Sequence, residues 1–230
     1  MEEVKAFASK FCAQSFATVI IGAEYTYRIP RSLLDQLWPR CPSFCERLML
    51  EVDKNGSFHI QTRTAACEVF EIFLFWAAEK RLPCLDGPTD DITEGDISTA
   101  EYGFNEIVDI LADLWMFAEE FSIPKLQNDA MKKLLEALLE VDVRPFTLSQ
   151  FHRRREEEAL QSVLLLEVAH GLWCGRYTGQ EMDAFAKVEG FLELFASLVR
   201  GEWELDPKET RPSRHFADGG DISAFMVPET

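Results

Sequence analysis

The sequence lacks the short motifs that are typical of enzyme and cofactor sites. It contains no GxSxG, no phosphate-binding loop, no HExxH and no glycine-rich dinucleotide turn. The nearest approach to a catalytic pair is His170 and Cys174, and four-residue neighbours of this kind on a helix are typical of packing. We therefore expect no catalytic residues and no cofactor, with a cofactor-free enzyme as a remote alternative.

Metal-binding spacing is also missing. The six cysteines form no CxxC pair and the four histidines are scattered. Cys41 and Cys45 are the one pair for which a metal site is an alternative hypothesis to two buried free thiols. We expect no metal.

Long apolar runs and an excess of basic residues are absent as well. No uninterrupted apolar run approaches the roughly 20 residues that span a bilayer. Residues Met1–Lys5 lack the pattern of a secretory signal, so we expect an intracellular protein, cytoplasmic or nuclear, without membrane contact.

Acidic residues outnumber basic ones, 40 to 23, which gives a net charge of −17. Such a chain repels phosphate backbones, so no direct nucleic-acid binding is expected. The one basic run, Arg153–Arg155, precedes Glu156–Glu158, and these charges pair at helical spacing.

What the sequence does contain is a strong helical pattern across Ile107–Leu138. Two consecutive helices are predicted, with the corner at Phe121-Ser122-Ile123-Pro124. Proline disfavours helix in the residue before it and suits the first turn of the next helix. With 230 residues, 47% of them hydrophobic, the chain can bury a sizeable core in one or two domains.

Strands and helices alternate before this pair. Phe16–Ile21 is apolar on both faces, which predicts a strand that is buried on both faces. It and Glu24–Ile29 are predicted to form the two strands of a hairpin. A further strand is predicted around Phe58 and Ile60. The helices predicted here are Val4–Ala13, a short helix after Pro30, Phe44–Leu50 and Ala65–Lys80.

Two stretches read as irregular. Leu82–Gly103 carries six acids without a base and predicts an acidic, mobile surface insertion. Asp206–Thr230 lacks helical periodicity and predicts a flexible tail, in which Phe225-Met226-Val227 is a candidate docking patch. Helices are expected between them at Ser149–Gly171 and Met182–Val199.

Four motifs in this order of elements carry a family resemblance. They are Tyr27-Arg28-Ile29-Pro30-Arg31-Ser32-Leu33-Leu34, Cys41-Pro42-Ser43-Phe44, Val69-Phe70-Glu71-Ile72-Phe73-Leu74-Phe75-Trp76 and Leu111-x-x-Leu-Trp-x-x-Ala118-Glu-x-Phe121-x-Ile123-x-x-Leu126-Gln127-Asn128-x-Ala130-Met131. Together they resemble the BTB/POZ domain family, especially the divergent kind abundant in filamentous fungi.

The resemblance implies an α+β fold in which a helical cluster covers a small sheet, with an added C-terminal helical segment. The expected parts are an N-terminal helical extension (1–14), the BTB/POZ-like domain (15–139, with the insertion at 82–103), a C-terminal helical extension (140–205) and the tail (206–230). Family members are protein-interaction modules without catalytic residues. Many join a cullin-3 ubiquitin ligase as substrate adaptors, and others self-associate or recruit transcriptional partners.

The resemblance also suggests where a partner binds. Cullin-binding members carry a hydrophobic-x-Glu tripeptide after the Ser-Pro-x-Phe helix, and Met49-Leu50-Glu51 lies in the corresponding place. Met49 would fill a pocket of the partner while Glu51 pairs with a base at its rim. The alternative is a core Met49 and a solvated Glu51. An acidic transcriptional co-regulator recruited by a DNA-bound partner is the second functional hypothesis, although the bases Lys208, Arg211 and Arg214 form no clustered nuclear signal.

Overall fold

A computed structural model of the chain describes residues 16–21, 25–50, 57–60, 67–85, 97–152, 158–200 and 209–229, and the single residues 52, 62 and 206. The chain divides into two compact units. Unit 1 comprises Met1–Pro83 and Phe117–Ile123, and unit 2 comprises Cys84–Met116 and Pro124–Thr230. This division differs from the boundary expected near residue 139, because most of the central helix pair belongs to unit 2. The helix predicted at Val4–Ala13 lies outside the described residues.

The described strands of unit 1 form a sheet in the order β2-β1-β3. β1 (Phe16–Ile21) and β2 (Tyr25–Pro30) are the antiparallel hairpin that the sequence predicts, and β3 (Phe58–Ile60) runs parallel to β1. One face of β1 is buried, through Ala17, Val19 and Ile21. The other face is partly exposed, so the expectation that β1 is buried on both faces is wrong.

The helices of unit 1 pack around an aromatic core. They are α1 (Arg31–Leu37), α2 (Pro42–Leu50) and α3 (Cys67–Glu79), close to the predicted positions. Ring centroids of neighbouring phenylalanines lie 4.7 to 6.4 Å apart within a cluster of Phe44, Phe70, Phe73, Phe117 and Phe121. Such pairs add attraction beyond the burial of apolar area.

The predicted helix pair is present as α4 (Ile97–Glu120) and α5 (Pro124–Ala137). At the corner, Ser122 adopts the left-handed conformation, with φ of 53°. The Ile123 N–H donates to the Ala118 carbonyl at 2.8 Å, and the Ser122 N–H to the Glu119 carbonyl at 2.9 Å. This is the Schellman pattern that satisfies carbonyls at a helix end, and it confirms the predicted corner.

The start of α4 differs from the sequence prediction. Residues 97–103 were expected in the acidic insertion, yet they are helical. Pro88 is the last proline before them, and a single glycine such as Gly103 weakens a helix by only about 1 kcal/mol. Residues 86–96 lie outside the described part of the chain.

The remaining described helices belong to unit 2. They are α6 (Pro145–His152), α7 (Glu158–Trp173), α8 (Gly179–Phe185), α9 (Phe191–Val199), α10 (Pro212–Ala217) and a 3-10 helix (Ser223–Phe225). None of the helices described here has the length and apolarity that crossing a bilayer requires.

Two predicted helices in this unit need correction or completion. The single helix expected at Met182–Val199 is wrong, because α8 ends at Phe185 and Gly190, with φ of 75°, precedes α9. A capping box between Thr178 and Glu181 starts α8. The helix expected at Ser149–Gly171 is described at both of its ends, as α6 and α7. The charged run between them, at 153–157, is outside the described residues.

Residues 209–229, here called the distal segment, differ from the flexible tail that the sequence suggested. α10 packs against α5 and α7, and the 3-10 helix packs against α7. Ser213 and Phe225 are buried. The fold as described is therefore mixed α+β, a small sheet with many helices, as the sequence predicts at that level.

Candidate protein-interaction site

An apolar cavity of about 250 Å³ opens on the surface of unit 1 beside α1 and α2. Two large side chains that line it, Trp38 and Met49, are 50% and 56% exposed. The cavity is lined by Ala17, Arg31, Leu34, Asp35, Trp38, Cys45, Leu48, Met49 and Phe58. Single exposed apolar residues are common, but two such side chains beside one cavity offer a contiguous contact surface.

Local sequence explains the position of Trp38. α1 follows Pro30, whose fixed φ suits the entry to a helix. The helix ends at Leu37, and the Trp38 N–H still donates to the Leu34 carbonyl at 3.1 Å. Trp38 thus belongs to the last turn, while Leu37 next to it is buried. The tryptophan ring is left at the surface.

The position of Met49 follows from the helical period of α2. Cys45 and Leu48 lie on the buried side of this helix. Met49 is rotated by about 100° from Leu48 and lies four residues after Cys45, so it stands at the edge of the buried side, where its side chain is 56% exposed. Of the two residues that the sequence assigned to partner binding, the structure places Met49 at the surface, which contradicts the core alternative. Glu51 lies outside the described residues.

An ion pair holds α2 in unit 1. Arg47 Nη1 lies 2.9 Å from Glu120 Oε1, and the guanidinium lies 5.4 Å from the centre of the Phe121 ring. The Thr62 hydroxyl donates to the other carboxylate oxygen of Glu120 at 3.0 Å. Because Arg47 is half-exposed, solvent screens its ion pair, which contributes about 1 kcal/mol or less to stability. These contacts connect α2 to the end of α4.

Cys45, which lines the cavity, and Cys41, four residues before it, are poor metal ligands. Burial raises the pKa of Cys41 to about 12 and that of Cys45 to about 11. Metals bind the thiolate, which these environments disfavour. Throughout the part of the chain that the structure describes, no three His, Cys, Asp or Glu side chains come together in a way that could hold a metal ion.

The pair His170 and Cys174 lies at the end of α7. Cys174 Sγ and His170 Nε2 are 3.5 Å apart, and Cys174 is exposed. A contact of this length is what four-residue spacing gives on a helical turn.

Sequence reasoning missed a buried polar cluster in unit 2. The guanidinium of Arg211, which is 9% exposed, donates to the Leu139 carbonyl at 2.9 Å. Its Nη1 lies 3.6 Å from Asp142 Oδ1 and 3.7 Å from Glu167 Oε2. Glu167 in turn accepts the Ser213 N–H at 2.6 Å. Arg211, one of the three scattered bases near the end of the sequence, is therefore buried among acids.

Within this cluster, burial raises the pKa of Glu167 to about 7. The Ser213 N–H and the Arg211 guanidinium act in the opposite direction, but burial outweighs them. The long distance from Arg211 explains why the ion pair does not dominate. One signal was present in the sequence, since Glu167 is the only charged residue in the apolar run Val163–Ala169.

Two comparisons with known proteins found no similar family or protein. No protein-family model matches the chain, and no curated protein matches it at a significant level of similarity. The BTB/POZ resemblance therefore stays a prediction.

Proposed function

We propose that this chain is a non-catalytic protein-interaction module of the BTB/POZ type that acts as an adaptor or scaffold. The observation that carries the proposal is the exposure of Trp38 and Met49 beside an apolar cavity on unit 1. Tryptophan is enriched among the residues that dominate binding energy at interfaces, and methionine adapts its shape to a partner. A cavity of this size accepts a side chain of the partner.

The order of elements also supports the proposal. A hairpin, two short helices, a strand, a longer helix and a helix pair follow one another as the family resemblance implies. The partner that the resemblance suggests is a cullin-3 ubiquitin ligase, engaged through Met49 and Glu51. Self-association is the other arrangement that the family offers.

The test compares partner binding by the full chain with binding by variants. Met49→Ala/Glu51→Ala removes the suggested cullin contact, and Trp38→Ala removes the other exposed side chain. Met182→Ala is a matched control, because this methionine on α8 is 51% exposed. Partners are recovered by affinity purification from the native cells, and affinities are then measured with the purified partner.

A side chain that dominates an interface contributes about 2 kcal/mol or more, so we expect about a 30-fold loss of affinity in the site variants. The Met182→Ala control should keep wild-type affinity. A cullin retained by the control and lost by the double variant would support the adaptor role. If every recovered partner binds all variants equally, the proposal is wrong, and a DNA-binding protein among them would favour the co-regulator hypothesis.

A further inference from the structure

The end of the distal segment packs on the helices of unit 2 and becomes extended at Met226. After the 3-10 helix Ser223–Phe225, the backbone at Met226 has φ of −99° and ψ of 148°. The 3-10 helix packs against α7. The 3-10 helix is followed by Met226–Glu229, which form neither helix nor strand, so the stretch Ile222–Glu229 resembles a bound peptide that begins with one helical turn.

Asn128 on α5 holds the main chain of this stretch. Its Nδ2 donates to the Val227 carbonyl at 2.9 Å, and its Oδ1 accepts the Val227 N–H at 2.8 Å. The same Nδ2 donates to Glu229 Oε1 at 3.0 Å. A primary amide has two donors and one acceptor oxygen, so Asn128 matches both hydrogen-bonding groups of one residue and an acid beyond it. The two contacts with Val227 recognise main chain and not a particular side chain, as in peptides that add to a sheet edge, whereas the contact with Glu229 selects an acid.

A single aromatic residue anchors the stretch. Phe225 is 7% exposed, whereas the other side chains from Ile222 to Glu229 are half-exposed or exposed. Beyond Phe225, which ends the 3-10 helix, the main chain of Val227 and the carboxylate of Glu229 both meet Asn128. The resulting footprint is an aromatic side chain, a main-chain pair two residues on, and an acid two residues further.

We propose that the surface of α5 and α7 around Asn128 is a binding site for an extended peptide of a partner protein. The peptide carries an aromatic residue, a residue other than proline two positions later, and an acidic residue two positions after that. Residues Ile222–Glu229 occupy this site until the partner displaces them. The site lies in unit 2 and does not depend on the Met49 surface of unit 1.

A partner can displace Ile222–Glu229 because Phe225 is the one buried side chain of this stretch. Segments with few buried contacts open at a lower free energy than the core. A tethered segment nevertheless competes at an effective concentration in the millimolar range. A free peptide therefore binds the wild-type chain weakly, and binds tightly once the tethered anchor is weakened.

The test uses the full chain and a fluorescent peptide with the sequence of residues Asp221–Glu229. Phe225→Ala in the protein weakens the tethered occupant and leaves Asn128 in place. We expect fluorescence anisotropy to report at least tenfold tighter binding to Phe225→Ala than to the wild type. Phe216→Ala is the matched control, because this half-exposed residue lies in α10 of the same segment, and it should bind like the wild type.

Two changes test the role of the main-chain pair. A peptide methylated on the nitrogen of Val227 lacks the donor, and Asn128→Ala combined with Phe225→Ala removes the acceptor. Each should weaken binding to the released site at least tenfold. The methylated peptide needs no change in the protein, so it remains informative if the Asn128→Ala chain does not fold.

The proposal is overturned if the wild type and Phe225→Ala bind the peptide equally, or if methylation has no effect. Circular dichroism establishes that each variant is folded. Should Phe225→Ala unfold the chain, Val227→Pro weakens the tethered occupant instead, because proline lacks the N–H that Asn128 accepts. Equal binding by that variant and the wild type would overturn the proposal in the same way.

Discussion

The buried carboxyl of Glu167 should make the stability of unit 2 fall as the pH rises from about 4.5 to 7. In the folded protein its pKa is raised from the usual 4.5 to about 7 by burial. Between these two values the folded state binds more protons than the unfolded state, so each increase in pH favours unfolding. The stabilising contribution is fully present below pH 4.5 and is lost as the pH passes the folded-state pKa.

The magnitude follows from the two pKa values. Each pH unit of difference corresponds to about 1.4 kcal/mol, so the change from 4.5 to about 7 corresponds to about 3 kcal/mol. The variant Glu167→Gln removes this titration but keeps a carbonyl oxygen that accepts the Ser213 N–H. Wild type and variant should therefore have similar stability near pH 4. At pH 8 the variant should be more stable by about 3 kcal/mol.

Hydrogen exchange in increasing urea, followed on peptides from α7, gives the free energy of opening for unit 2 itself. The measurement is made at several pH values from 4 to 8. Glu193→Gln, an exposed position on α9, controls for the loss of one negative charge from an acidic chain. A difference between wild type and Glu167→Gln that stays constant over this range would refute the reasoning.

Two further predictions follow from backbone geometry and from burial. Gly175 has φ of 68° and open space around it, so Gly175→Ala should lower the free energy of unfolding by about 1 kcal/mol through backbone strain alone. Gly179→Ala, at the start of α8, should be neutral or stabilising by up to about 1 kcal/mol. Urea denaturation measures both, and equal effects would contradict this reasoning. In the folded chain at pH 8, iodoacetamide should label exposed Cys174 at least a hundredfold faster than Cys41 and Cys45. The raised pKa values of these two buried thiols leave roughly one thiolate in a thousand or fewer. Peptide mapping by mass spectrometry measures the labelling, and comparable rates at the three cysteines would contradict the prediction.

Local rules account for the parts of the fold that sequence reasoning predicted. Apolar periodicity located the α4–α5 pair, and Pro124 located its corner because proline restricts the residue before it. Alternation and β-branched residues located the hairpin at Phe16–Ile21 and its partner strand. Each of these signals lies within a few residues of the feature that it predicts.

The break between α8 and α9 was missed for a different reason. Apolar residues continue at helical spacing from Met182 to Leu198, so periodicity alone predicts one helix. The chain turns at Gly190 because φ of 75° is accessible to glycine, and buried residues on either side, Phe185 and Phe191, then stack with ring centroids 5.6 Å apart. Stacking of these two rings stabilises the turn, and no local sequence pattern predicts such a contact.

The surface that carries the proposed function was predicted in part. The sequence selected Met49 through a family resemblance, but it said nothing of Trp38 or of the cavity between α1 and α2. Both depend on how two short helices pack on the sheet. A helical period shows which residues share a side, whereas only packing shows which side is covered.

By itself, the sequence determined the secondary structure near prolines and apolar repeats, the absence of familiar catalytic motifs, and the acidic charge. Whether residues 209–229 are ordered was decided by tertiary structure alone. Their prolines and glycines rule out a long helix, so local rules predict a free tail. They are ordered instead because Arg211 reaches a carbonyl 72 residues away and Val227 pairs with Asn128 across 99 residues. Contacts at such separations repay the entropy of ordering a chain only after the rest of the unit has folded.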